Sequence, residues 1–317
     1  MTGIARHQAS DSDELAGALA GWSQDYTQLG RGRLHAELVH IQLAGASLIY
    51  EHSNLHLHEN MTPPTGQVVF GLPLQVGDDS LFNGGALRHD TLLVLEGGRE
   101  MEICASGEIG MLGLTVDREL LARLLGAEEQ ERLEQALGRS RLDISPLAAQ
   151  GLRQDLCASI GAFERAECDP RSAEQSVRTV MSALDYTLQG LDEVLRGPGH
   201  SGATLPRSLE QRRRLVLAAV EIMQANLDLP LSMLELCQAL NTSHRTLQYC
   251  FRQIAQATPQ QFFLSLRLAE ARRRLKQDPQ QSITTLALDL GFASSSHFSS
   301  LFKRLYGEQP SLAGRRS

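Results

Sequence analysis

Three histidines, His52, His56 and His58, form the one cluster in this chain whose types and spacing point toward metal chemistry. His56 and His58 stand two apart, which puts both on one face of a strand. Such a pair supplies two ligands, and a metal centre needs at least one or two more, such as a carboxylate a few residues on and a further histidine. Glu59 follows at once, on the opposite face, and no acidic residue stands at the needed distance beyond Met61-Thr62-Pro63-Pro64. The next histidine, His89, sits in the turn-like Arg88-His89-Asp90. The reading is of surface or polar-pocket histidines, with no metal, no cofactor and no catalytic residue. No Ser/His/Asp order, glycine-rich phosphate loop or paired-carboxylate motif stands out.

Chemistry of another kind is written in the last third, where one short helical pattern occurs twice. The first copy is Ser232, Leu236, Cys237, Leu240, Asn241, Ser243, Leu247, Phe251, Arg252, and the second is Ser282, Leu286, Ala287, Leu290, Gly291, Ser294, Phe298, Phe302, Lys303. Leu286 follows Leu236 by 50 residues and Phe302 follows Phe251 by 51, so the second copy has gained one residue in its turn. Each copy reads as a helix, a tight turn and a second helix, the layout of a DNA-binding helix-turn-helix.

The elements that must hold this pattern follow from residue type. A serine before each apolar run can cap the free N–H groups of a starting helix. The leucines at i, i+4 share a face. Cys237 and Ala287 are small where two helices approach, and Asn241 and Gly291 sit where a left-handed backbone is needed. Ser243 and Ser294 then cap the second helices, about 232–254 and 282–305 being the two motifs. Between them, Thr258 as N-cap and Pro259 as first helical residue open a run to Lys276. About 18 residues at 1.5 Å each give a rod of about 27 Å, enough to hold two reading helices roughly one DNA turn apart.

This tandem arrangement, over about residues 209–312, resembles the AraC/XylS family of transcription regulators. The second copy carries most of the likeness: Ile283, Leu286-Ala287, Gly291-Phe292, Ser294, Phe298, Phe302-Lys303, Gly307 and Pro310-Ser311. Leu312-Ala313-Gly314-Arg315 departs from it, standing where members have an aromatic residue followed directly by Arg. The resemblance implies reading helices at about His244–Ile254 and Ser295–Leu305. It places Arg245, Gln248 and Tyr249 against bases from the first, and Ser295, Ser296, His297 and Ser300 from the second. Arg245 suits guanine O6 and N7, and Gln248 suits adenine N6 and N7. The short side chains of the second helix suit positioning and shape-dependent contacts. Ser243, Arg252, Ser294, Lys303 and Arg304 are the implied phosphate contacts. Of Arg272, Arg273 and Arg274, at successive angles on one helix, one or two can face DNA.

Charge agrees. From Arg207 onward 15 Lys and Arg stand against 8 Asp and Glu, whereas residues 1–206 hold 15 against 29. A basic C-terminal part is what a phosphate backbone demands. The acidic remainder is not expected on DNA. The five cysteines are scattered and odd in number, with no CxxC pair, and no apolar stretch or signal peptide stands out, so a cytoplasmic protein with no membrane partner is expected.

The first two thirds read as α+β. Short apolar runs at 37–43, 47–50, 67–74, 91–95 and 109–116, punctuated by Gly45, Pro63-Pro64, Asn83-Gly84-Gly85 and Gly97-Gly98, predict strands. Residues 11–30 read as a short helix and loop around Trp22. The expected organisation is a domain at 1–196 with a cupin-like β-barrel at about 33–116 and helices at about 117–196. One of these helices runs from Pro170 to Leu195 with the stripe Val177, Val180, Met181, Leu184, Leu188, Leu191. A linker follows at 197–206, then the all-α tandem helix-turn-helix domain at 207–317. The family layout implies a sensor half that binds a small effector, loosely similar to ethanolamine-utilisation-type regulators, with activation, RNA polymerase and a homodimer as further expectations. Two other readings stand beside it: a dimeric DNA-architectural module without sensing, and a cupin-type metal enzyme fused to a DNA-binding domain.

Overall fold

The computed structural model describes residues 3–165, 207–228 and 231–314. The expected helix from Pro170 to Leu195 and the linker at 197–206 lie outside the described residues.

In chain order the first part runs β1 (Gly3–Ala9), α1 (Ser12–Ala16), β2 (Ser23–Gln28), β3 (Ala36–Leu43), β4 (Ala46–Ser53), β5 (Leu57–Thr62), β6 (Gln67–Gln75), β7 (Leu81–Phe82), β8 (Gly85–Ala86), β9 (Thr91–Glu96), β10 (Met101–Ala105) and β11 (Ile109–Asp117). Then come α2 (Arg118–Leu124), α3 (Ala127–Arg139), β12 (Arg141–Asp143) and α4 (Pro146–Arg165). The strands form two antiparallel sheets. One has seven strands in the order β1-β3-β4-β11-β6-β9-β12, the other five in the order β2-β5-β10-β7-β8. They remain separate sheets packed face to face, so the expected barrel is an open sandwich that does not close. Residues 11–30, expected as helix and loop, supply α1 and the strand β2.

Alternation assigns each strand's two faces. Val68, Phe70 and Leu72 of β6 pack with Leu112, Leu114 and Val116 of β11 against Leu133, Leu137 and Leu152 of α3 and α4. Val69 points the other way, into a second core with Leu93, Leu95, Met61, Met101 and Ile103 between the sheets. The central strands of the larger sheet are thus covered on both faces, which is why they read as unbroken apolar runs.

The last part is helical: α5 (Arg207–Ala225), α6 (Met233–Ala239), α7 (His244–Ile254), α8 (Pro259–Gln277), α9 (Ile283–Asp289), α10 (Ser295–Tyr306) and α11 (Pro310–Ala313). It has two cores, one for each copy of the repeat. Leu236, Leu247, Phe251 and Ile254 pack with Val216 and Met223 of α5 and with Phe262, Phe263 and Leu266 of α8. Leu286, Leu290, Phe298 and Phe302 pack with Leu268, Ala271 and Leu275 of the same α8. One helix serves both cores, each half offering a different face. Among the described residues, no helix is long and apolar enough to cross a membrane.

Candidate nucleic-acid interface and the cavity behind it

The second helix of each copy, α7 and α10, is fixed at its start by local hydrogen bonds. Ser243 Oγ accepts from the Thr246 amide at 3.0 Å and Ser294 Oγ from the His297 amide at 3.1 Å. The preceding helices are held the same way: Ser232 and Glu235 form a reciprocal capping box, and Ser282 Oγ accepts from Thr285 N. The turns take the left-handed backbone expected of them, with φ +46° at Asn241 and +68° at Gly291. The residue gained in the second turn is Ala293, because the Phe292 amide donates to Ala287 O at 2.8 Å just as the Thr242 amide donates to Cys237 O at 3.0 Å in the first copy, and the cap Ser294 comes one residue later than Ser243. The Phe292 ring is buried under the Arg267 guanidinium, 4.4 Å away.

With Leu247, Phe251, Phe298 and Phe302 fully buried, the opposite faces of α7 and α10 turn outward. Arg245, Arg252 and Tyr249 are exposed on α7, Tyr249 by 49%, and Gln248 is half-buried beside His244. On α10 Ser296, His297, Ser300, Lys303 and Arg304 are exposed and Ser295 is half-buried. Two neighbours escaped the sequence reading. The Arg212 guanidinium of α5 lies 5.0 Å over the Tyr249 ring, and His244 contacts both Gln248 and Gln260. Arg212 had no signal in the repeat because it comes from a helix outside it.

The arginines of α8 are engaged within the protein. Arg272 pairs with Glu308 at 3.0 Å and stacks over Tyr306, Arg273 pairs with Glu270 and with Asp13 of α1, and Arg274 pairs with Glu270 and Asp228. Lys276 reaches both Asp11 and Glu14. The acidic first part therefore meets the basic last part directly.

The five-stranded sheet makes the rest of that contact. Its outer face carries His58, Glu102 and Cys104. The His58 ring meets Phe262 of α8 edge-on at 5.2 Å. Glu102, 1% exposed, lies 3.2 Å from Arg213 of α5 and 3.4 Å from His58. His56 contacts Cys104 Sγ at 3.4 Å and lines a cleft of about 220 Å³ with Arg31, Gln256, Ser265 and Arg304. Burial and the neighbouring His58 push the His56 imidazole below its ordinary range. At the cleft's edge Gln28 Nε2 and the Gly32 amide both donate to Leu305 O. The three histidines thus have different partners, His52 being paired with Glu108 at 2.9 Å. Among the described residues, no group of three or more His, Cys, Asp or Glu is placed to hold a metal.

The inner face of the same sheet lines a cavity of about 80 Å³ between the two sheets. Leu57, Glu59 and Met61 of β5 and Ile103 and Ala105 of β10 form one wall, and Ile49, Glu51, Val69 and Leu93 form the other. Tyr26 Oη donates to Glu51 Oε1 at 2.8 Å, and Gln24 Nε2 donates to Glu59 Oε1 at 3.0 Å and to Tyr26 Oη at 2.7 Å. Burial, then the nearby Glu59 charge, push the Glu51 carboxyl up to about 8, and burial raises Glu59 as well. This carboxyl pair escaped the sequence reading, because Glu51 and Glu59 sit on strands of different sheets and meet only across the sandwich.

A family model described as a helix-turn-helix domain matches residues 236–316. The chain is 39% identical over 92 residues to the HTH-type transcriptional regulator ArgR of Pseudomonas aeruginosa, covering 29% of this chain and 28% of that protein. It is 46% identical over 66 residues to the HTH-type transcriptional activator RhaS of Pectobacterium carotovorum, 21% of this chain and 23% of that one. Both matches span under a third of the relative's length. A solved AraC-type DNA-binding domain-containing regulator from Chromobacterium violaceum is 31% identical, covering 33% of this chain and 94% of its own, with a TM-score of 0.32.

Proposed function

We propose that this chain, whose C-terminal third is an AraC-type DNA-binding domain, is a sequence-specific transcriptional regulator that takes a small effector between its two sheets. The observation that carries the DNA half is the mounting of two capped helix-turn-helix units on one rod, apolar faces inward and polar faces outward. At 19 residues α8 is about 28 Å long, close to the roughly 34 Å of one DNA turn. Arg245, Gln248 and Tyr249 read bases. Ser295, Ser296, His297 and Ser300 position the second helix, and Ser243, Arg252, Ser294, Lys303 and Arg304 meet phosphates. Arg212, over Tyr249, steadies that ring or adds a phosphate contact of its own.

The sensing half is supported by the five-stranded sheet, whose faces have different duties. Alternate residues of β5 look into the cavity (Leu57, Glu59, Met61), and His58 between them touches α8. β10 repeats this, with Ile103 and Ala105 inward and Glu102 against Arg213. A ligand that shifts this sheet moves the surface on which the reader rests. By its family likeness the regulator acts as an activator through RNA polymerase in the cytoplasm, with a homodimer as its assembly.

Footprinting of the full chain on a promoter library tests the reading. Two protected segments about one helical turn apart, on one side of the duplex, are expected. Protection of a single groove, or none on any promoter, overturns it.

A further inference from the structure

The reading of the inter-sheet cavity as an effector site leaves the effector's chemistry open, and the cavity wall narrows it. Its body is apolar, with Ile49, Leu57, Val69, Leu93 and Ile103 from both sheets and Leu19 from the connection between α1 and β2. Its polar groups are Gln24, Tyr26, Ser53, Glu51 and Glu59, and no Arg, Lys or His lines it. Two of the donors among them are already used, the Tyr26 hydroxyl on Glu51 and the Gln24 amide on Glu59 and on Tyr26; the Ser53 hydroxyl and the Glu51 proton are the others. Acceptors remain. Gln24 Oε1 is buried without a partner. Glu59, itself 8% exposed, and Glu51 form no ion pair among the described residues. A buried acid pair facing an apolar hole lacks a positive charge.

We propose that this cavity binds a small organic cation, a protonated amine on a short apolar chain, with its ammonium group between Glu51 and Glu59. An ammonium supplies the missing donors and charge, and its chain takes the apolar walls. An anion meets two carboxyl groups and is rejected. A neutral alcohol fills the apolar part but leaves the acid pair uncompensated. At about 10–15 Å³ for each water-sized group, a cavity of about 80 Å³ holds on the order of six non-hydrogen atoms. Trp22 also lines the wall, an aromatic ring of the kind that attracts a cation.

Binding carries a proton signature. The groups facing Glu51 are Glu59 and Tyr26, with Gln24; those facing Glu59 are Gln24, Tyr26 and the neighbouring His58. At pH 7 Glu51 holds its proton, because burial and Glu59 keep it there. An arriving ammonium favours the ionised form, so the Glu51 proton leaves to solvent while the amine keeps its own.

The test uses the full chain with n-pentylamine, its neutral isostere 1-pentanol and its anionic counterpart pentanoate. Thermal shift and calorimetry in phosphate and in Tris at pH 7 are the readouts. The amine is expected to raise Tm saturably and to release close to one proton, with the alcohol and the acid inert. E51Q and E59Q each weaken amine binding at least tenfold. E51Q replaces a carboxyl already neutral at pH 7, so it keeps the fold and separates binding from stability. Equal stabilisation by 1-pentanol, stabilisation by pentanoate, amine binding indifferent to both substitutions, binding without proton release, or no amine binding overturns the proposal. DNA binding on the footprinted segment is measured in parallel. If it persists while the amine fails, only the cavity's chemistry is lost; if it fails, the regulator reading itself is lost.

Discussion

Replacing Asp11 by Asn is expected to loosen the hold of the N-terminal part on α8, and the size of the effect follows from what each oxygen does. Asp11 Oδ1 accepts from the amides of Asp13 and Glu14 at 3.0 Å each and so caps α1. Oδ2 pairs with Lys276 of α8. The Asp11 side chain is 2% exposed and that of Lys276 25%, so solvent screens the pair weakly. A hydrogen bond to a charged group contributes about 1.5–3 kcal/mol. Lys276 keeps Glu14 at 3.0 Å, which holds the loss near the lower end, about 1.5 kcal/mol. Asn retains the cap, whereas Asp11→Ala also loses it, adding roughly 1 kcal/mol. A cycle of Asp11→Asn and Lys276→Met isolates the pair, because Met keeps the Lys stem's packing. Urea unfolding followed by the fluorescence of Trp22, the single tryptophan, reads the cycle in the domain that holds Asp11. Burial works to raise the Asp11 carboxyl, but the Lys276 bond, the Glu14 amide and the charge of Arg272 outweigh it and leave it lowered. The contribution is therefore present above the ordinary aspartate value of 3.8 and is lost as pH falls through the depressed value. Single effects that add within about 0.5 kcal/mol at pH 7 refute the argument.

Arg245→Ala is expected to cost roughly 1–3 kcal/mol on the cognate site and to relax specificity at one base pair, read by anisotropy on cognate and shuffled duplexes; equal loss on both would make Arg245 a charge contact only. Lys303→Ala should weaken both duplexes alike and lower the salt slope by about one. Ser243→Ala removes the cap of α7 and should lower stability by about 1 kcal/mol, while Ser243→Asp, still a capping residue, should not. Glu51, protonated in the fold up to about pH 8, makes stability fall as pH rises from the ordinary glutamate value of 4.5 toward 8; Glu51→Gln should flatten that slope in pH-dependent urea titrations.

What could be read from the chain tracks the range of the forces involved. The helix-turn-helix units were legible because their determinants are local: a serine cap, a left-handed Asn241 or Gly291, and apolar residues four apart. The strands β4, β6, β9 and β11 were legible because burial on both faces leaves a short continuous apolar run, and β3 because Val39, Ile41 and Leu43 alternate with the polar His40 and Gln42. β1 escaped because it pairs along the rim of its sheet with mostly exposed residues, Gly-Ile-Ala-Arg-His-Gln-Ala. β2 escaped because its Gln24 and Tyr26 are polar groups turned into the cavity, which made Ser-Gln-Asp-Tyr-Thr-Gln read as loop. β10 is short and carries Glu102, an acid buried where His58 of β5 and Arg213 of α5 meet it. None of these signals exists until the two sheets and α5 are assembled.

The same reasoning separates the two basic populations of the C-terminal part. Arg272, Arg273, Arg274 and Lys276 each have an acidic partner, and Asp11, Asp13 and Glu14 among those partners come from α1 and its N-cap. Arg245, Arg252 and Lys303 are exposed and form no ion pair among the described residues. A charge already neutralised inside the molecule releases few counterions when DNA arrives, whereas an unpaired one on a reading helix releases its full share. The positive charge of residues 207–317 thus divides by position: on α8, Arg273 and Lys276 pair with the first part and Arg272 and Arg274 pair within the last part, whereas the exposed cations of α7 and α10 are the ones expected to meet phosphate. Displacing α1 from α8 would free cations on the very rod that sets the spacing of the two reading helices, so the ion pairs joining the two halves bear on DNA affinity as well as on stability.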